Sequence, residues 1–475
     1  MKVSLNWLRR HVDLPESAEA VAKALTSIGL EVEGMEEPGK VYDKLIVAKV
    51  LTCEAHPDSD HLHITTVNNG KETIQVVCGA PNVAAGQTVV LAPIGAELPL
   101  PDGTMLKMKK SKIRGVESFG MICAEDEIGL SDDHGGIMVL DDSIPAGTPF
   151  VSLGLYDVCY ELNVTPNRPD ALSHRGVARE LAAKFNRPLK PLQYVLKEDA
   201  EACASAISLE VVPGCGCSRY VGRVIKDVKV EKSPTWLAKL LHAVGMSSIN
   251  NVVDVTNFVL MEVGQPLHAF DADQIVGGEV VVKRQPQDTP FVTLDGVERK
   301  LDQRDLMICN SREGMCIAGV FGGEKSGVTM NTTNVFLESA YFNPVSIRKT
   351  SKRHGLKTDA SFRYERGCDP NITPWALRRA VKLILELGGG EVCGDMIDLY
   401  PAPIEPAQVQ IKFQRVFDLI GQPLPKEAVR TALTSLDIKI LSEDEEQMML
   451  AIPTCKVDVY RECDVVEEIM RIYGY

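Results

Sequence analysis

No run of 18 consecutive apolar residues occurs in the 475-residue chain, so it offers no candidate for a membrane-spanning helix. The opening segment, MKVSLNWLRRHVDLPE, lacks the apolar core of roughly 7–15 residues that marks a secretory signal, and the expected location is the cytoplasm with no membrane partner. Thirteen cysteines form no repeated CxxC pair. The closest two, Cys215 and Cys217, have a single residue between them, too tight for zinc-ligand spacing, so the cysteines read as mostly reduced, buried thiols. The glycine pairs of GVFGGEKSG belong to no GxxxxGK[ST] and no dinucleotide fingerprint; they read as turns, and nothing in the chain resembles an ATP site. Positive charge is also short: 51 Lys and Arg face 65 Asp and Glu, a formal net charge of −14. Phosphate affinity comes mainly from clustered Lys and Arg, so non-specific coating of nucleic acid is excluded and any RNA contact must use a local patch. Low-complexity runs are absent too.

What is present is globular composition, 45% hydrophobic and 24% charged. The length suits about three or four domains, each able to bury its own core. Residues 14–29 carry a capping Ser17, apolar Val21, Leu25 and Ile28, and a stop at Gly29, which predicts one short helix. From about 43 to 150 the pattern changes to short Val- and Ile-rich runs broken by Gly, Pro and Asn, the signature of a small β-barrel. Helical periodicity returns in SHRGVARELAAKF, residues 173–185, with Ser173 at the capping position. The barrel therefore reads as inserted into a helical module built from both flanks. Residues near 190–205 read as a linker, and PAPIEPAQ at 401–408 as another.

One basic patch stands out. Lys107, Lys109, Lys110, Lys112 and Arg114 lie within KMKKSKIR, whose alternation suits a strand bearing several cations. An RNA contact and an edge strand defended by lysines are both consistent with it. A cluster of opposite sign closes the chain: Asp458, Asp464, Glu467 and Glu468 in PTCKVDVYRECDVVEEIMRIYGY. Val465, Ile469 and Ile472 fall at i, i+4 and i+7, the apolar stripe of an amphipathic helix, which places Asp464, Glu467 and Glu468 on one other face. Hard oxygen ligands so arranged suit Mg²⁺, while solvated acids in a helix's first turn give the same spacing.

HPDSDHLHITTVNNG at 56–70, VVCGAPNV at 76–83 and SFGMICAEDEIGL at 118–130 resemble the tRNA-binding oligonucleotide-fold domain attached to several aminoacyl-tRNA synthetases. His56, His61 and His63 with Asp58 and Asp60 lack the usual zinc spacing, and a structural turn is the expected role. The resemblance then extends over essentially the whole chain. MKVSLNWL, NNVVDVTNFVLMEVGQPLHAFD at 250–271, IAGVFGGEKSGV at 317–328, FLESAYFNPVSIRKTSKRHGLKTDASFRYERGCDP at 336–370 and the carboxylate segment are similar, in order, to the bacterial β subunits of phenylalanyl-tRNA synthetase.

The resemblance implies an editing domain that hydrolyses tyrosine wrongly attached to the phenylalanine tRNA. The need for one is physical. A hydrophobic pocket rejects an added hydroxyl by only about 10²-fold, whereas a site built to hydrogen-bond that hydroxyl separates the two by about 10⁴–10⁵. The family's editing residues fall on Thr256 and Asn257 in DVTNF, His268 in QPLHAFD, Glu338 in FLESAYF and Ala360 in TDASF. Glu338 is expected to accept a hydrogen bond from the tyrosine phenol, and His268 and Thr256 to orient the ester or a water. Taken singly, His268 also reads as a hydrogen-bonded core histidine and Glu338 as a surface acid. No Ser-His-Asp or Cys-His arrangement occurs in these motifs, which implies water-mediated hydrolysis. Phe362 stands where a polar ring is expected, and Tyr364 where Phe is usual.

The same resemblance implies that Asp458, Asp464, Glu467 and Glu468 bind Mg²⁺ shared with an α subunit, which itself holds ATP and phenylalanine within an α2β2 heterotetramer on tRNA(Phe). Family chains continue into a catalytic-like and an anticodon-binding domain, so this chain is expected to be the N-terminal portion. The expected fold class is multidomain α+β. A helical module (1–42 and 151–205, with linker) carries an oligonucleotide-fold barrel (43–150), followed by a mixed α/β editing domain of B3/B4 type (206–400) and a small winged-helix-like domain of B5 type (401–475). A non-catalytic tRNA-binding and assembly subunit is the alternative, and a hydrolase using the terminal carboxylates directly is a remoter one.

Overall fold

Alternation of side chains explains the central sheet, and the sheet explains the site. In the computed structural model, which describes residues 1–100, 104–131, 134–192 and 207–474, strand Val335–Phe342 pairs antiparallel with Leu267–Asp271 on one side and Cys217–Lys226 on the other; Glu391–Leu399 completes four strands. Successive side chains leave a strand on opposite faces. Val221, Ile225, Ala269, Val335 and Leu337 point to one face and pack against Val252, Val255 and Val259 of helix Asn251–Val263 and Leu377, Val381 and Ile384 of helix Thr373–Gly388. Tyr220, Val224, Phe270, Phe336 and Ala340 point to the other, where a second sheet of Ser208–Val211, Glu279–Arg284, Leu306–Cys309, Gly314–Ile317 and Phe321–Gly322 covers them. Leu337 is fully buried, so Leu337→Ala removes a side chain whose loss from a core costs about 2–5 kcal/mol. The linker expected near 190–205 lies, from residue 193, outside the described residues.

Residues 1–35 and 159–475 form one compact unit and residues 36–158 a second. In the first, strand Lys2–Ser4 pairs with Cys159–Asn163, which also borders Glu31–Glu36. Both expected helices are present. Ala18–Ser27 is capped by the Ser17 hydroxyl accepting from the Ala20 N–H, and His174–Lys184 by Ser173 accepting from Gly176. Trp7 is sandwiched between His174, 4.0 Å away and nearly parallel, and Phe258 at 4.8 Å, tying the N-terminal helix Leu5–His11 to the long helix beneath the sheet. Residues 407–473 build three antiparallel strands, in the order Ala407–Lys412, Gln447–Ile452, Lys439–Glu443, with helices Phe413–Ile420, Lys426–Ser435 and Glu462–Tyr473. Val465 and Ile469 of the last helix are fully buried, as their spacing predicts.

The second unit is a strongly bent antiparallel sheet: Gly120–Ile122, Thr88–Pro93, Ile46–Ala55, His63–Asn68, Thr73–Cys78. Its edges meet, for the Phe119 N–H donates to Gln75 O at 2.9 Å and the Val77 N–H to Ser118 Oγ at 3.1 Å, so the sheet nearly closes on itself. Val50, Val67, Val76 and Leu91 fill its inside. The basic stretch is not one strand. Met105–Lys107 pairs with Glu97–Pro99 and Ser111–Ile113 turns back on Val116–Ser118, because Arg114 and Gly115 both take positive φ and make a tight hairpin turn. Lys107 and Lys110 carry carboxylate partners, Glu97 at 3.6 Å and Glu117 at 2.8 Å, and Arg114 donates to Asp58 O, while all five cations remain exposed. Among the described residues every cysteine is free and most are buried, and no helix is long and apolar enough to cross a membrane.

Candidate functional site

The strand register sets the first two side chains of a 380 Å³ cavity. His268 lies directly opposite Glu338 across the strand pair, so both point to the face shared with the second sheet, and both line the cavity. On Glu338's other side stands Gly222, where a Cβ would come within 2.6 Å of the Phe336 ring; the missing side chain lets that ring pack against the strand. Tyr220, two residues along, reaches diagonally and donates its hydroxyl to Glu338 Oε2 at 2.7 Å, with both residues buried. Sequence reading missed Tyr220.

Helix Asn251–Val263 supplies Thr256 and Asn257. Asn250 starts it, its side-chain Oδ1 accepting from the Val252 and Val253 N–H groups, and Gly264, at φ 80, ends it. Thr256 donates to Val253 O at 2.6 Å, which leaves its oxygen lone pairs available toward the cavity. A capping box at Thr358 and Ser361 begins the short helix Asp359–Tyr364 and sets Ala360 in the wall, where a small side chain keeps the space open. The cavity thus gathers Thr256, Asn257, His268, Glu338 and Ala360 from four segments distant in sequence.

The electrostatics of the pocket are unusual for two ionisable groups in contact with one space. Burial pushes the Glu338 carboxyl up to about 8, against a smaller opposing effect of the Tyr220 hydrogen bond, and among the described residues no cation stands beside it. Burial also lowers His268 to about 4, and its buried Nε2 has no hydrogen-bond partner among the described residues. At neutral pH both are therefore uncharged: Glu338 offers an O–H as well as a carbonyl oxygen, and His268 is no satisfied core histidine. With so low a basicity, His268 suits holding a water or ester group by hydrogen bonding rather than abstracting a proton outright. Leu260, Leu294, Val320 and Phe321 supply apolar walls, so the space fits an apolar group with a polar end.

The two departures at 362 and 364 separate. Tyr364 lines the cavity, its hydroxyl donating to Ala340 O at 3.0 Å. Phe362 lies outside it, 37% exposed, with the Arg366 guanidinium 3.5 Å over its ring.

The terminal carboxylates do not converge. Asp464 closes the N-terminus of its helix, accepting from the Tyr460 and Arg461 N–H groups and pairing with the Arg461 guanidinium at 2.8 Å. Glu468 points the other way, into the protein, bound by Lys456 at 2.6 Å and Arg471 at 2.8 Å. Burial alone would raise its affinity for protons, but Lys456 and then Arg471 outweigh that and hold it below the usual range. The same buried network contains Arg168, Asp170, Arg179 and Glu180, with Arg471 to Glu180 at 2.7 Å and Lys456 to Asp170 at 3.3 Å. Only Asp458 and Glu467 of the four are exposed. Helical spacing put Asp464, Glu467 and Glu468 on one face, but Lys456 and Arg471 draw Glu468 inward. Among the described residues no group of three or more His, Cys, Asp or Glu could hold a metal ion, so the arrangement in this chain does not fit a four-carboxylate centre. The His56–His63 turn forms none either; the His56 ring instead accepts from the Asp58 N–H.

Three domain families match the chain: a putative tRNA binding domain at 45–149, a B3/4 domain at 216–389 and a tRNA synthetase B5 domain at 409–475. Over its full length the chain is 50% identical to the phenylalanine–tRNA ligase beta subunits of Bacteroides fragilis (strain YCH46) and Porphyromonas gingivalis (strain ATCC BAA-308 / W83), and 45% identical to that of Geobacter metallireducens. It spans 59% of the length of each of these relatives. Among solved structures it resembles an N-terminal fragment of the phenylalanyl-tRNA synthetase beta-subunit from Pyrococcus horikoshii, with a TM-score of 0.42 and 13% identity, covering 100% of this chain and 99% of that one.

Proposed function

We propose that the chain, 50% identical to phenylalanine–tRNA ligase beta subunits of which it spans 59%, shares their family, binds tRNA(Phe) and hydrolyses tyrosine mis-attached to it. The observation that carries this reading is the buried Glu338, held by Tyr220 in a cavity of 380 Å³ opposite a His268 Nε2 without a partner among the described residues. A phenol entering the cavity meets a carboxyl able to donate to it or accept from it. A phenylalanine ring satisfies nothing beyond the Tyr220 hydrogen bond and leaves the carboxyl's other oxygen covered without a partner, at a cost of about 1–3 kcal/mol, which supplies discrimination where an apolar pocket has little. Thr256, Asn257 and His268 position the ester and a water, and Ala360 keeps the wall clear. None of them is placed as a nucleophile, so hydrolysis proceeds by water attack.

The nearly closed sheet of residues 36–158 supports an oligonucleotide-fold reading of 43–150, with Lys107, Lys109, Lys110, Lys112 and Arg114 as its tRNA contacts. The three strands and three helices of 407–473 support a winged-helix-like reading of 401–475. On this reading 1–42 and 151–205, the latter with its linker, make up the split helical module, and 206–400 the editing domain. A cytoplasmic α2β2 assembly, with ATP and phenylalanine at an α subunit, follows from the same family membership. Mg²⁺ shared with α would draw on Asp458 and Glu467, the two exposed carboxylates, rather than on all four. Such a cation would neutralise these two carboxylates; no step of the hydrolysis depends on it.

Incubating the chain, with and without α, with tyrosyl- and phenylalanyl-charged tRNA(Phe) tests the reading. Release of tyrosine over phenylalanine, lost in Glu338→Ala, is the expected result. Absence of release from tRNA that is demonstrably bound would leave a non-catalytic tRNA-binding and assembly subunit.

A further inference from the structure

Beside the cavity runs a groove of about 790 Å³. Met246, Thr358 and Asp359 line both, so the two spaces share a rim. The far wall is basic. Arg348 and Lys352 sit one turn apart on helix Pro344–His354, and Lys357 follows three residues after its end; all three are exposed, and none has a carboxylate partner among the described residues. The acids of the groove are already neutralised, Asp359 by Arg363 at 3.1 Å and Glu365 by Arg366 at 2.6 Å. A surplus of fixed positive charge therefore borders the cavity mouth in a chain whose net charge is −14. Phe362 adds a flat apolar surface, open to solvent on the face not covered by Arg366.

We infer that this groove binds the single-stranded 3′ end of tRNA, Arg348, Lys352 and Lys357 holding its phosphates and Phe362 stacking a base, so that the terminal aminoacyl ester enters the Glu338 cavity. Unpaired cations along a groove track a phosphate backbone, and exposed aromatic rings stack bases without regard to their identity. A folded protein partner would be served as well by the charge but has no need of a ring beside a cavity. The inference rests on the editing reading for the meaning of the cavity, yet the groove is testable without hydrolysis.

A 5′-labelled single-stranded RNA ending in CCA, followed by fluorescence anisotropy across a salt series, is the direct probe. In Arg348→Ala/Lys352→Ala/Lys357→Ala the salt slope of log affinity is expected to flatten by about 0.7 for each phosphate that is no longer neutralised. Phe362→Ala is expected to weaken binding about tenfold with the slope unchanged. The charge-retaining Lys352→Arg/Lys357→Arg chain should bind as the parent does, which separates the effect of charge from that of misfolding. Unchanged affinity and slope in the triple variant would overturn the inference, leaving the face to a protein partner. Binding that depends on the three cations while tyrosyl-tRNA stays intact would keep the groove and remove the editing reading instead.

Discussion

Glu338 and Glu468 are equally buried, each 4% exposed, and behave oppositely. Glu338 has one neutral partner, the Tyr220 hydroxyl, so burial wins and the carboxyl keeps its proton to about pH 8. Glu468 has two cations within 2.8 Å, and their field outweighs burial and keeps it charged. The lesson is that burial fixes the cost of a charge, while the neighbours decide whether the chain accepts it or neutralises it. A buried acid facing an open cavity without a cation is poised to recognise a ligand. One enclosed by cations holds helix Glu462–Tyr473 against the module carrying Arg168, Asp170 and Glu180.

The comparison breaks most visibly in catalysis. Glu338→Ala is expected to slow tyrosine release from mischarged tRNA by about 10²-fold or more, while Glu468→Ala, in chains that remain folded, leaves the rate per folded molecule unchanged. Single-turnover assays on both variants decide it; equal losses would mean that Glu338, too, acts only through the fold.

In stability the order reverses. Removing Glu468 takes one carboxylate from Lys456 and Arg471, which keep only Asp170 and Glu180, and leaves the buried network with surplus positive charge; breaking such a network costs about 3–5 kcal/mol. Removing Glu338 orphans only the Tyr220 hydroxyl, at about 1–3 kcal/mol, and Glu338→Gln keeps an acceptor for it. Urea midpoints measure the ranking, and a Glu468→Ala chain as stable as the parent would show that the network contributes little.

Much of this was legible in sequence where the cause is local. Caps at Ser17 and Ser173 and the stripe Val465, Ile469 follow from residues within one helix, and the structure has them. The cavity residues were found through long motifs, not through their separate chemistry: His268 by itself resembled a core histidine and Glu338 a surface acid. Tyr220 was illegible because it reaches Glu338 only through the register of strand Cys217–Lys226, 118 residues away; Gly222 in its alternating run was the available signal. Glu468 was misplaced for the same reason, since Arg471 at i+3 could be seen but Lys456 arrives through the tertiary fold. The basic stretch divided where Arg114 and Gly115 turn, a hairpin that the lysine alternation concealed.

Titration sharpens the comparison further. Glu338 is raised to about 8, so between the ordinary carboxyl value and that point the folded chain holds a proton that the unfolded chain has released, and stability falls as pH rises through the window. His268, lowered to about 4, acts in the opposite direction: the unfolded chain takes up a proton that the folded chain refuses, so stability falls as pH drops from the ordinary imidazole value toward about 4. Glu338→Gln should remove the alkaline limb and leave the acid one, read as urea midpoints between about pH 5 and about pH 9. An alkaline limb that persists in the glutamine chain would assign it to another group.

The smallest expected effect is the control for the terminal helix. Glu467 is one residue from Glu468, but its carboxylate faces solvent. Glu467→Ala should therefore change stability by no more than about 0.5 kcal/mol, the usual range for an exposed position, against the several expected at 468. Because the two side chains differ in orientation and hardly at all in sequence environment, the contrast isolates what the buried cations contribute. A loss at 467 comparable to that at 468 would mean that the helix depends on its acids generally, through its N-terminal dipole, rather than on the one ion pair network that encloses Glu468.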